Sequence, residues 1–229
     1  MMTLDVEVVR ENWAIVQERI RLASVRGGWD HKVNVVAATK YVDLDDMDIL
    51  IQAGIKVVGE NRAEELEGKW RRFRDALDFH FIGHLQSRKA RRVVPRVSLI
   101  HSVDSLSLVE QIDKRTDVDV DVLLQVNVSG EESKYGILPG DAEAFLERAA
   151  PYETVRFVGL MTMAPLAEDA EETRPVFRGL RALRDDLASR FSSRYALKEL
   201  SMGMSNDYQV AVEEGATLVR LGSVLFTRA

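Results

Sequence analysis

Lys40 closes the apolar run 33–39 of "VNVVAATKYVD". Six of the seven preceding residues are Val, Ala or Thr, so an extended strand carries the lysine to its end. An amine held in a poorly hydrated cavity would favour its neutral form, which attacks carbonyls and forms Schiff bases. The alternative is a lysine whose stem lies on apolar surface while its head reaches water. Two later stretches could hold a phosphate. "SMGMSND" (201–207) reads as a strand end, a glycine turn and a helix start, with Ser205 or Asn206 capping a helix over 206–214 that turns Val210 inward. A helix start of this kind offers free backbone N–H groups to an anion. "LGS" (221–223) supplies a second turn, with Gly222 and the hydroxyl of Ser223. Either turn alone is equally well a plain cap or bend. Arg220 lies between Val219 and Leu221, so strand alternation puts it on the opposite face from them. A buried guanidinium needs partners. Glu60 and a bound ligand are both open candidates.

Other chemistries find less support. The net charge is −6, which argues against nucleic acid or an anionic membrane as partner. The basic stretch "SRKARRVVPR" (87–96) reads as a solvated helix face. There is no cysteine, which excludes thiolate chemistry. The four histidines lack ligand spacing, so no metal is expected. Neither a Rossmann nor a Walker glycine pattern occurs, and no G-x-S-x-G elbow does. The N-terminus carries acids and no long apolar run, and no segment approaches the ~20 apolar residues of a membrane span. The expected setting is the cytoplasm.

The elements that must position these residues alternate along the chain. Val6, Val9, Trp13, Val16, Ile20 and Ala23 step by three and four, which predicts an opening helix ended by "RGGWD". Apolar, β-branched runs predict strands at 33–39, 55–60, 79–83, 97–103, 120–128, 155–163, 199–203 and 217–222. Helical stretches separate them, most clearly 169–191, where Val176, Leu180, Leu183 and Leu187 share a face. Near-continuous apolar strands alternating with helices imply a parallel sheet under helical cover. Eight such units predict one (β/α)8 barrel, a TIM barrel, as a single domain over 1–229, with a doubly wound sheet as rival. No helix of normal length follows the last strand, so the opening helix is expected to supply the missing cover. The working face of such a barrel is at the C-terminal ends of its strands. Lys40, Asn61, His84, Met204, Ser205, Arg220, Gly222 and Ser223 all fall there.

"AATKYV", "VGEN", "FHFIGHLQSRKAR", "HSVDS", "LLQVNVSGEESKYG", "GLMTM" and "LSMGMSNDYQVAVEEGATLVRLGSVLF" together resemble the YggS/PROSC family of pyridoxal 5′-phosphate (PLP) homeostasis proteins. The resemblance runs from about 33 to 226, with the motifs in order. It implies a barrel of the alanine racemase N-terminal domain type with an N-terminal covering helix. It further implies that Lys40 holds the cofactor as a Schiff base, that Ser205, Gly222 and Ser223 bind its phosphate with Met204 beside it, that Arg220 faces the pyridine nitrogen, and that Asn61 lies near the ring. The implied role is vitamin B6 homeostasis without established turnover, by a monomer that exchanges the cofactor with PLP-dependent apoenzymes or B6 enzymes.

A small PLP-dependent racemase is the alternative, with His84, Lys134 or Tyr135 as candidate bases. Racemases of similar fold add a second domain, for which 229 residues leave no expected room. A third reading is a barrel for another phosphorylated metabolite, with Lys40 as a plain ion-pair partner. Three departures from the family pattern stand out: His84 in place of proline, Thr227 in place of glycine, and Arg62-Ala63 in place of Tyr-Val.

Overall fold

The fold was established from a computed structural model, which describes residues 4–227. Eight parallel strands close into a barrel in sequence order: β1 (Asn34–Ala38), β2 (Val57–Glu60), β3 (Asp78–Phe81), β4 (Leu99–Val103), β5 (Val120–Gln125), β6 (Val155–Met161), β7 (Glu199–Ser201) and β8 (Leu218–Leu221). Pairing of Asn34 with Leu218 and of Ala37 with Leu221 joins the last strand to the first, which excludes the open-sheet rival. Every expected strand is present and most are shorter than expected, while β3 starts one residue earlier, at Asp78. The largest trim is at β5, where 126–128 leave the sheet for a loop tied back by the Val126–Ile137 bridge.

Alternation sorts the strand residues into two cores. Val36, Ile82, Leu99, Leu123, Met161 and Leu218 meet inside the barrel, while Val35, Ala37, Val58 and Val219 pack outward against the helices. The interior is so filled that a Cβ at Gly59 would come within 2.8 Å of both Ile82 and Val36.

The opening helix α1 (Val6–Gly27) buries Val9, Val16, Ile20 and Ala23 and stops at Gly28, whose φ of 75° suits a residue without Cβ. Along the chain follow α2 (Met47–Gln52), α3 (Ala63–Phe73), α4 (Ala90–Val93), α5 (Leu106–Asp113), α6 (Ala142–Ala149), α7 (Arg174–Arg190), α8 (Tyr208–Glu213) and α9 (Ser223–Phe226). Among the described residues only the single turn α9 follows β8, and α1 packs on α2, α8 and α9, closing the flank as expected. In α7 the buried face is Phe177, Leu180 and Leu187, with Val176 and Leu183 half-buried at its edge. Among the described residues no helix is long and apolar enough to cross a membrane.

Candidate functional site

The strand ends gather the predicted residues around one cavity of 470 Å³ at the C-terminal mouth. Lys40, Met204, Ser205, Arg220, Gly222 and Ser223 line it, though β1, β7 and β8 deliver them from positions up to 183 residues apart. The volume is in the range of small-molecule sites. Asn61 does not line this cavity. It sits at the end of β2 against Gly83, and its buried Oδ1 has no partner among the described residues.

Lys40 corrects one expectation. The cavity is open at the rim, so the side chain is exposed, and Nζ lies 4.5 Å from the ring centroid of the exposed Tyr41. The strand delivers the amine to the mouth, but burial of the amine requires something to cover it.

Arg220 is buried at the inner end of the cavity and points across the barrel. Nη1 donates to Ser201 Oγ at 2.6 Å and Nη2 to the Thr162 carbonyl at 2.8 Å. Burial lowers its pKa to about 10, an effect that nearby Asp207 opposes. Glu60 is not its partner. Strand alternation turns Glu60 outward, where Lys69 from α3 meets its Oε1 at 2.6 Å and the Thr39 hydroxyl donates to the same oxygen. Lys69 also donates to the Thr39 carbonyl at 2.7 Å, so this buried ion pair grips the residue before Lys40. Lys69 was not expected to matter, although its position in the sequence carried a signal. It shares the buried face of α3 with Ala63, Leu66 and Phe73, where a charge needs a partner.

Ser205 does not cap α8, and neither does Asn206. The chain turns one residue later, with Asp207 in the N-cap position and its Oδ1 accepting from the Met204 N–H at 2.6 Å. Burial raises the Asp207 pKa, against the pull of that N–H and of Arg220. Ser205 instead reaches across to the turn after β8. Its Oγ accepts from the N–H groups of Gly222 at 3.2 Å and Val224 at 3.4 Å. The two predicted phosphate turns are therefore one structure, with donors converging on a single hydroxyl. Val210 packs inward as expected. Gly203, at φ 91°, makes the turn possible, and a Cβ there would meet Ala211 at 2.6 Å.

Across the mouth, the loop 129–137 brings Lys134 to the cavity lining. Tyr135 stacks on His84 with ring centroids 4.0 Å apart. The His84 departure thus contributes to holding a loop at the rim. The Arg62 departure is an exposed ion pair with Glu65, and Thr227 ends the described chain beside α9.

The comparisons agree with this fold. The family described as "Alanine racemase, N-terminal domain" matches residues 4–228. The pyridoxal phosphate homeostasis protein of Aquifex aeolicus is 41% identical over 221 residues, covering 94% of this chain and 96% of that protein. The solved structure of PipY from Synechococcus elongatus with PLP bound has a TM-score of 0.78 and 35% identity, covering 91% of this chain and 99% of that one. Alanine racemase from Clostridium difficile shares the fold, with a TM-score of 0.74 at 13% identity, and this chain covers 58% of it. The chain belongs to the alanine racemase N-terminal domain family and, within it, to the pyridoxal phosphate homeostasis proteins.

Proposed function

We propose that this chain binds PLP reversibly in the mouth cavity and serves vitamin B6 homeostasis as a carrier, with the site as a single-domain barrel. The observation that carries the reading is that an amine, a buried guanidinium and two joined hydroxyl-and-amide turns line one 470 Å³ cavity. These are the donors that an aldehyde, a pyridine nitrogen and a phosphate require. The orphaned Oδ1 of Asn61 is a further polar atom at this barrel face, in keeping with a place near the ring.

When bound, PLP supplies an aldehyde that condenses with a lysine amine and releases water. In this reading Lys40 is that lysine. Tyr41 holds its head at the rim, and the cofactor is the cover that desolvates it. Ser205 and Ser223, with the Gly222 and Val224 N–H groups, hold the phosphate, and Met204 packs beside it. Arg220 orients the ring through its nitrogen. A guanidinium donates and does not accept, so the nitrogen stays unprotonated and the ring is a weak electron sink. That favours holding the cofactor over turnover. The reading takes a cytoplasmic monomer that exchanges PLP with apoenzymes.

The test is a titration of purified protein with PLP, followed by visible absorbance. Wild type gains a band that borohydride abolishes, and Lys40→Ala gains none. No band in wild type would remove the cofactor reading. The loaded protein is also expected to leave the α-proton of L-alanine unexchanged in deuterated water; sustained exchange would favour the racemase alternative.

A further inference from the structure

Below Arg220 the barrel interior is not wholly apolar. Ser201 Oγ, which accepts from Arg220, lies 2.8 Å from His101 Nδ1. His101 Nε2 lies 3.0 Å from His80 Nδ1, and His80 Nε2 lies 3.5 Å from Asp78 Oδ2. His101 and Ser201 are buried. His80 lines a hollow of 370 Å³ at the opposite, N-terminal face of the barrel, and the side chain of Asp78, its neighbour across a 3.5 Å contact, is 49% exposed. A line of polar contacts therefore runs through the barrel from the cofactor mouth to solvent on the far side.

We propose that Asp78, His80, His101 and Ser201 form a directed hydrogen-bond chain that positions Arg220 and reports the protonation state of the far barrel face to it. The direction follows from the two ends. A guanidinium only donates and a carboxylate only accepts. With both histidines neutral, Ser201 then gives its hydrogen to His101 Nδ1. His101 carries its hydrogen on Nε2 and donates to His80 Nδ1, and His80 carries its own on Nε2 and donates to Asp78. Every contact is satisfied once, and both histidines are neutral with the same tautomer.

The surroundings of His101 favour its neutral form, and those of Asp78 favour the carboxylate. Burial, with His80 and Arg220 nearby, pushes His101 well below the ordinary imidazole range. Burial opposes ionisation of Asp78, but hydrogen bonds from His80 and Ser98 outweigh it and hold the carboxyl below its usual range. The groups facing His80 are His101 and Asp78, and Asp121, Lys198 and Glu199 line the same hollow.

The chain has a second state. When His80 takes one proton from solvent, both its nitrogens donate. His101 must then accept at Nε2 and carry its hydrogen on Nδ1. Ser201 now accepts from both His101 and Arg220, and its own hydrogen loses the His101 acceptor. One proton is gained and no other atom is exchanged. An oxygen shared between two donors holds Arg220 less firmly. Acid at the far face thus loosens the arginine under the cofactor. This last link rests on the cofactor reading above; the chain itself does not.

The experiment is long-range proton–nitrogen NMR of protein with ¹⁵N-labelled histidine, first without cofactor. While His80 is neutral, both His80 and His101 are expected as Nε2–H tautomers. As His80 becomes protonated, His101 should switch to Nδ1–H while staying neutral. Asp78→Asn keeps an acceptor and should keep the Nε2–H tautomers while His80 is neutral, whereas Asp78→Ala should mix them. An Nδ1–H tautomer of His101 while His80 is neutral, or no switch when His80 protonates, would overturn the chain. With PLP added, the visible band should move over the pH range of the His101 switch, and Ser201→Ala should abolish that movement. A wild-type band that ignores the switch would overturn the link to Arg220. Absence of any band would overturn the cofactor reading, and the unliganded spectra would still decide the chain.

Discussion

Lys69 Nζ lies 2.6 Å from Glu60 Oε1 and 2.7 Å from the carbonyl of Thr39, the residue that precedes Lys40. Both charged groups are buried, and they join α3 to the ends of β1 and β2. Such a pair contributes little net stability over an apolar substitute, but loss of one partner strands a charge. Its value here is positional: it holds the end of the strand that presents the lysine.

Lys69→Met is expected to destabilise the fold by about 3–5 kcal/mol, because Glu60 keeps its charge and loses its cation. Glu60→Gln combined with Lys69→Met should recover part of that loss. Urea unfolding of the single and double variants measures it. A double variant no more stable than the single one would show that the stranded charge is not the cause.

Asp207 predicts a pH dependence with a definite sign. Its pKa is raised by burial above the ordinary value of 3.8. Between that value and the raised one, the native state keeps a proton that the unfolded chain has lost. Its contribution to stability therefore falls as pH climbs through this window. Asp207→Asn retains an oxygen for the Met204 N–H and has no such slope. The difference in Tm between wild type and variant should change in the variant's favour from acid towards neutral pH. A difference constant with pH would contradict the account.

Ser205→Ala leaves the Gly222 and Val224 N–H groups without their acceptor. A stability loss of about 1–2 kcal/mol is expected without ligand. PLP affinity should fall roughly 10–100-fold, since hydrogen bonds to a charged phosphate are worth more than neutral ones. Pyridoxal, which lacks the phosphate, should bind both forms alike. Equal loss for the two ligands would place Ser205 away from the phosphate.

The barrel was legible because burial on both faces makes parallel strands nearly continuous runs of apolar residues, and β1 and β6 show this plainly. Lys40, Ser205 and Arg220 were legible as polar breaks at the ends of such runs. Side-chain pairing was less so. Glu60 ends a strand just as Lys40 does, but its parity turns it out to Lys69, a contact between two elements that no local pattern encodes. Asp207, and not Ser205 or Asn206, is the N-cap residue because the helix starts at Tyr208, two residues later than the spacing suggests. The chain from Arg220 to Asp78 draws one residue from each of β3, β4, β7 and β8 besides Asp78, and only closure of the barrel brings them together.

The most direct test of the central claim is peptide mapping by mass spectrometry after borohydride reduction of the PLP-loaded protein. The account predicts one reduced pyridoxyl group per chain, on Lys40, with Lys134 at the rim unmodified while Lys40 is present. A principal adduct on Lys134 or any other lysine, or no adduct at all, would contradict it.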